Sequence, residues 1–543
     1  MKPIIAGCSI LIVIIFFGTF WYYSFNFPYA DEFFSPCLDY LNRFESASFT
    51  DKIKLIFQPH YEHRIALPRL VYLLVYRFNG VLDFRIVMAI GNLFLVGMLL
   101  LYYAYFRKKE LSLAYFIPIP LLLFQCSTYE TSYWALTSIE KYGVLFFSLL
   151  TLYFLEEKRI LLAILSACVA TFTDLNGILI FLPGIFILLL TKRRNHLIYW
   201  SIAMSICLGI YFFHFSTTAT GRPSILDTIL GFFPIISLDF FTFLGNIFEF
   251  FPANGFGLNK VYFIFPFLSG FCALIIWLTS IYNYFRNKRT SENIPLFLVA
   301  GILFFLVTAA AFAVSRASLG ALEPFNSRYK INAINLLILC YLLVLNQVKL
   351  PKYMPIIFAV SAIIFNFSLN FRFSYEVINH QKKLLVDAYN FKHNQSLLGQ
   401  FEHFRNHSLE DCIKEKIYRL PELKNIEDGL SQQKADTSVH FSVLNISDYG
   451  IQIQNDSYLQ TTFHKNDGIY VTLQSQNHTY LFKTIQRKSS FSQFLKTIEY
   501  YRPGYQTSPI FRNVLQKGNY NIGLLEIKNN HPSYSISKTI ISI

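Results

Sequence analysis

The stretch IIAGCSILIVIIFFGTFWYYSFNFPYADE, residues 4–32, decides the fold. Residues 4–23 carry no charge. A helix rising about 1.5 Å per residue needs roughly 20 such residues to cross a hydrocarbon core of about 30 Å. The run is too long for the apolar part of a signal peptide, and no small-residue cleavage pattern follows Trp21-Tyr22-Tyr23. It reads as a retained anchor with Lys2 on the cytoplasmic side. Asp31 and Glu32 come soon after it, two adjacent carboxylates at the height where lipid headgroups meet water.

The rest of the chain shares this apolar character. Of 543 residues, 54% are hydrophobic, 18% aromatic and only 15% charged, and the mean hydropathy is +0.39. A soluble chain of this length carries far more charge, so the composition is that of a membrane protein. The formal net charge of +14 fits basic cytoplasmic loops. No basic helix interleaved with aromatics asks for nucleic acid. The eight cysteines stand singly, with no CxxC and no metal-ligand spacing, so neither a disulfide framework nor a zinc site is expected. Cys37 and Cys412 lie in polar segments, either bridged to each other or unpaired. Heavy use of Lys, Ile, Asn and Phe suggests an AT-rich genome, hence a bacterial inner membrane with a periplasmic outer face.

On the same ruler, further spans fall at about 86–106, 111–126, 133–155, 160–173, 177–190, 197–215, 261–285, 294–314, 331–347 and 353–371. The clusters Arg107-Lys108-Lys109, Lys158-Arg159, Lys192-Arg193-Arg194 and Arg286-Asn287-Lys288-Arg289 then share the side of Lys2. Residues 24–85, Asp174, Arg222 and the 316–328 loop fall on the other side. The run 230–251 is apolar enough to cross, but parity, Pro234, Asp239, Gly245 and Glu249 favour a helix in the outer interface or one that re-enters. The expected fold is a polytopic α-helical membrane protein of about eleven to twelve spans, N-terminus cytoplasmic. Residues 1–371 form the transmembrane domain, with a first outer loop over 24–85. Residues 372–543 form a C-terminal soluble α+β domain on the outer face. There the segment 376–398 reads as helix, and the alternation at 439–443, 468–473 and 522–525 reads as strands.

Ionisable side chains concentrate in three places. Asp31 and Glu32 have the placement to act on a lipid-linked substrate. Either takes a proton from an incoming hydroxyl as general base, or the two hold a divalent cation such as Mg or Mn. Their competing account is local: Asp31 caps a helix over 33–44, with Glu32 in its first turn. The run Gln58-Pro59-His60-Tyr61-Glu62-His63-Arg64, followed by Arg69, reads as a helix with His60 and Arg64 on one face and Glu62 and Arg69 two turns apart. Such a cluster either binds a phosphate or sugar hydroxyl, or faces headgroups from an interfacial helix. Arg316, Arg328 and Tyr329 stand on the outer side, against the positive-inside trend. They suit a phosphate held beside the membrane, or snorkel from helix ends. Glu130, Glu140, Lys141 and Asp174 lie near outer ends of spans. Adjacency splays Glu140 from Lys141, and Asp174 with Asn176 and Gly177 reads better as a turn. His214, Arg222 and Asp239 are weaker candidates.

Together the acidic pair in Tyr29-Ala30-Asp31-Glu32, the large loop 24–84, the late basic loop 316–329 and the appended domain resemble the GT-C superfamily of integral-membrane glycosyltransferases. That resemblance implies transfer of one sugar, with inversion, from a polyprenyl-phosphate donor to a glycan, lipid or protein acceptor in cell-envelope polysaccharide biosynthesis. It implies catalytic roles for Asp31 and Glu32. It also implies substrate contacts from His60, Glu62, His63, Arg64, Arg69, Arg316, Arg328 and Tyr329. The WWDYG-type motif of oligosaccharyltransferases is absent from the C-terminal segment. Two other classes remain: a polysaccharide polymerase or ligase, and a lipid or sugar transporter such as a flippase.

Overall fold

The computed structural model describes residues 2–33, 38–60, 63–215, 224–249, 261–286, 295–398, 407–435, 441–447, 450–460 and 462–543. It forms two compact units, one of Met1–Gly18, Arg43–Leu74 and Ile86–Asn370, the other of Thr19–Asn42, Val75–Arg85 and Phe371–Ile543.

Among the described residues, nine helices are long and apolar enough to cross a membrane. They are Ile4–Tyr23, Phe84–Lys108, Ala135–Glu156, Arg194–Phe212, Ile225–Phe248, Tyr262–Arg286, Leu296–Leu319, Ser327–Gln347 and Met354–Asn394. Two shorter apolar helices, Ile160–Thr171 and Leu175–Leu190, lie between them in sequence. The protein is therefore a mostly helical membrane protein. In the first unit, Lys108 Nζ lies 3.5 Å from Glu156, and the Phe297 amide donates to Glu156 at 2.7 Å. Arg193 donates to the Leu155 carbonyl at 2.8 Å. These contacts gather the Lys108, Glu156, Arg193 and Leu296 helix ends at one end of the bundle.

Three segments depart from the sequence reading. The run 111–126 forms no single helix but the short turns Leu113–Tyr115, Pro118–Leu123 and Cys126–Thr128. Pro118 and Pro120 remove amide donors, and the helix stops at Phe124. The segment still traverses the bundle: the Tyr115 carbonyl accepts from Tyr341 and the Ser127 carbonyl from Ser327, at opposite ends of one long helix. The run 230–251, expected in the interface or re-entering, lies largely in a helix of spanning length, Ile225–Phe248, broken at Phe232 two residues before Pro234. The last span does not stop at 371; one helix of 41 residues runs from Met354 to Asn394 and absorbs most of the helix expected at 376–398.

The second unit carries a nine-stranded sheet. With β1 (Pro59–His60) and β2 (His63–Arg64) forming a hairpin in the first unit, its strands are β3 (Gln433–Ala435), β4 (Ser442–Ser447), β5 (Gly450–Asn455), β6 (Gly468–Gln474), β7 (Thr479–Lys488), β8 (Tyr501–Thr507), β9 (Ile510–Phe511), β10 (Asn519–Lys528) and β11 (His531–Ser542). The order is β3-β11-β10-β6-β7-β8-β5-β4, with β9 on β5. All pairings are antiparallel except β3 with β11. Alternate residues Ile451 and Ile453, Val471 and Leu473, and Tyr520 and Ile522 turn to one buried face, which is the period-two pattern read from the sequence.

Candidate functional site

His60 to Arg64 is not a helix. Pro59 pairs with Arg64 and His60 with His63 across a tight hairpin, so the expected shared helical face of His60 and Arg64 does not exist. Glu62 lies outside the described residues, as do Cys37 and Arg222. Arg64 is buried, and its donors go to main chain. Its Nε donates to the Tyr211 carbonyl at 2.6 Å, and its terminal nitrogens donate to the Phe57 and Phe213 carbonyls. Arg69, also buried, donates to the Ile56 carbonyl at 3.1 Å and to that of Gln58. These carbonyls belong to the ends of helices Phe49–Phe57 and Arg194–Phe212. The last carbonyls of a helix lack intrahelical donors and carry partial negative charge. Both arginines thus cap helix ends, a structural use that the substrate-binding expectation did not include. Burial, with Arg69 and His63 nearby, pushes the His60 imidazole down to about 3.

The hairpin presents His63 to a charged cluster. His63 Nδ1 lies 3.9 Å from Asp174 Oδ1, and Lys141 pairs with the other oxygen of the same carboxylate. Asp174 is only 2% exposed and also accepts the Asn176 amide at 3.1 Å, so it is both the turn residue expected and an ion-pair partner. Lys141 sits in a π-helical turn, Ser138–Tyr142, an irregularity common at functional sites. Glu140 and Tyr329 lie within its electrostatic reach. Tyr329 neighbours Arg328, whose guanidinium is 5.1 Å from the Tyr329 ring and 3.3 Å from Glu323, with Glu130 close by. The Glu130 amide and the Ser127 carbonyl both bond Ser327 Oγ, fixing the turn that carries Arg328. The structure therefore gathers His63 and Lys141 on Asp174, and separately Arg328 on Glu323 beside Tyr329. Asp174 and Lys141 were passed over as a turn and a splayed neighbour. The usable signal was charge inside apolar runs, which seldom survives without a partner. Arg316 makes no hydrogen bond or ion pair with a described residue.

Beside the hairpin lies a groove of about 1380 Å³. Its wall mixes Ile53, Leu55, Phe57, Phe172, Ile210 and Phe213 with Arg43, His214 and the ion pair of Lys54 with Asp51. Such a lining suits an amphiphile with an anionic head.

Asp31 and Glu32 belong to the other unit. They lie in a 3-10 turn, Ala30–Phe33, that opens at Ala30 with φ +48. The next described helix is Leu38–Ser46, and the start of the helix expected over 33–44, at 34–37, lies outside the described residues. Glu32 is buried, and its Oε2 accepts the Tyr29 amide at 2.8 Å. Asp31 is half-buried. The Tyr29 ring packs edge-on to His380 with centroids 4.7 Å apart, and Lys383 Nζ lies 5.0 Å from its centre. Glu32 thus has a local structural use, holding the turn that also carries Asp31. Among the described residues no three His, Cys, Asp or Glu side chains gather as a metal site, and no step below is routed through a cation.

No protein family, curated protein or solved structure matches the chain.

Proposed function

We propose that the chain is a membrane glycosyltransferase that moves a single sugar from a polyprenyl-phosphate donor to a glycan, lipid or protein acceptor on the periplasmic face. The observation that carries this reading is the groove, which pairs an apolar wall for a lipid chain with basic groups for its phosphate. Asp31 removes the proton of the acceptor hydroxyl. The freed oxygen attacks the anomeric carbon, and the sugar–phosphate bond breaks with its electron pair on the departing lipid phosphate. Arg43 in the groove wall stabilises the charge that develops there. Glu32 fixes the turn that holds Asp31. In membranes given a labelled lipid-linked sugar, Asp31→Asn is expected to lower transfer by about 10²–10⁴-fold with expression intact, the range for loss of a general base. Full activity in that variant sinks the assignment. Products longer by whole repeat units would make the chain a polymerase or ligase instead.

One observation favours a second reading, a lipid or sugar carrier. Asp239 is fully buried in the broken helix Ile225–Gly245, and neither carboxylate oxygen bonds a described residue. A buried acid in a broken helix, here two turns after the break at Phe232, is a feature of ion-coupled carriers. Proton-dependent movement of a labelled lipid-linked sugar across reconstituted vesicles, lost in Asp239→Asn, would select this reading.

A further inference from the structure

The second unit carries an apolar edge that its own core does not use. Helix Phe491–Thr497 is opened by Ser490 and Gln493, whose side chains and amides bond each other reciprocally. Its apolar residues Phe491, Phe494 and Leu495, with Ile498 after it, follow helical spacing and form one stripe. The stripe is split in use. Phe491 and Phe494 pack on Phe371, with ring centroids 5.3 and 4.8 Å away. Leu495 and Ile498 are 62% and 80% exposed. Ile498 also takes a left-handed backbone, φ +60, which a β-branched side chain rarely adopts.

The chain that feeds this edge comes from apolar helices. Phe371 lies on the long helix Met354–Asn394, and its main chain is fastened here: its carbonyl accepts from Lys488 at 2.7 Å and from Tyr500 at 2.9 Å. The last residues of the first span arrive at the same place. Tyr23 donates to the Phe463 carbonyl at 2.7 Å, and the Lys465 amide donates to the Tyr22 hydroxyl at 2.9 Å. Phe463, itself exposed, is 5.2 Å from the Tyr500 ring. The first span therefore ends in the same aromatic cluster that the long helix passes at Phe371, and the exposed apolar stripe is continuous with it. Aromatic residues ending a span mark the lipid–water interface.

We infer that Leu495, Ile498 and Phe463 form an interfacial foot that enters the lipid leaflet into which these two spans lead, with Lys496 directed to headgroup phosphates. The occupant is the bilayer itself, because the stripe starts from residues that chain continuity already places at a membrane surface. Such a foot is a short amphipathic helix lying in the interface. It stands independently of the transferase reading.

The test uses the full-length protein in phosphatidylcholine–phosphatidylglycerol vesicles whose acyl chains carry bromine. A polarity-sensitive fluorescent amino acid replaces Ile498 in one preparation and Lys517 in another. Lys517 is exposed, just before the end of β10 opposite Asn529, whose amide bonds Asp467. At 498 the emission is expected to shift to the blue and to be quenched by brominated lipid several-fold more than at 517. Water-like, unquenched emission at 498 would overturn the inference. A blue shift without bromine quenching, the signature of a protein partner, would overturn it as well.

Discussion

Replacing Arg64 leaves the carbonyls of Phe57, Tyr211 and Phe213 without its donors. An unsatisfied buried carbonyl costs about 1–3 kcal/mol, so Arg64→Ala is expected to cost roughly 3 kcal/mol or more and to lower the Tm in detergent. Arg64→Lys keeps the charge but not the fork of donors, and should fall between. A variant with unchanged Tm and weaker substrate binding would instead restore the ligand role. His60 gives a pH dependence with a definite sign. Its folded pKa of about 3 lies below the ordinary 6.5. Below pH 6.5 the unfolded chain takes up a proton that the folded protein refuses until about pH 3. Stability is complete above 6.5 and falls by about 1.4 kcal/mol per pH unit across that window. The Tm of His60→Gln should decline less than that of wild type between pH 6.5 and 4.5. At this scale the sequence showed which residues were out of place in an apolar chain, but not what they touch. Arg64 and Lys141 are both cations, and only the fold assigns one to carbonyls and the other to Asp174.

Helix contacts set the next scale. Helices Ile225–Gly245 and Val261–Arg286 touch through two glycines. A Cβ at Gly245 would sit 2.0 Å from the Pro266 carbonyl oxygen, and one at Gly270 would sit 2.1 Å from that of Phe241. Backbone cannot yield as a side chain can, so Gly245→Ala and Gly270→Ala should each lower stability by about 1–3 kcal/mol, the range for overpacking. Gly231→Ala, with nothing within 4 Å, is the control and should leave the Tm unchanged or raised. Long apolar runs were legible because helix length and hydropathy together decide whether a segment crosses lipid. The broken segment 111–126 was less so. Hydropathy saw one span, whereas Pro118 and Pro120 had already excluded a continuous helix. The helical face that His60 and Arg64 would share is absent at 59–64, where Pro59 suits an extended start better than a helix interior.

At the scale of the molecule, composition alone placed the chain in a membrane, and the change after Phe371 announced a sheet-forming segment. Sidedness rests on the basic loops, and it makes a prediction. Cysteines placed at Arg193 and at Lys517 in a cysteine-free background should react with an impermeant maleimide from opposite faces of the membrane. Labelling of both from one face would remove the outer-face assignment of the C-terminal segment. The groove and the charged cluster were not legible, because their walls come from residues far apart in sequence, such as Lys54 with His214 and His63 with Asp174.

The pairing of Lys141 with Asp174 also bears on how the protein is made. Each residue alone opposes entry of its own helix into lipid, by about 2.5–3.5 kcal/mol at a helix centre. Together the two charges cancel between the start of Ala135–Glu156 and the turn that joins the short helices Ile160–Thr171 and Leu175–Leu190. These segments are then best inserted as one package, with the ion pair closed before any of them leaves the translocation machinery.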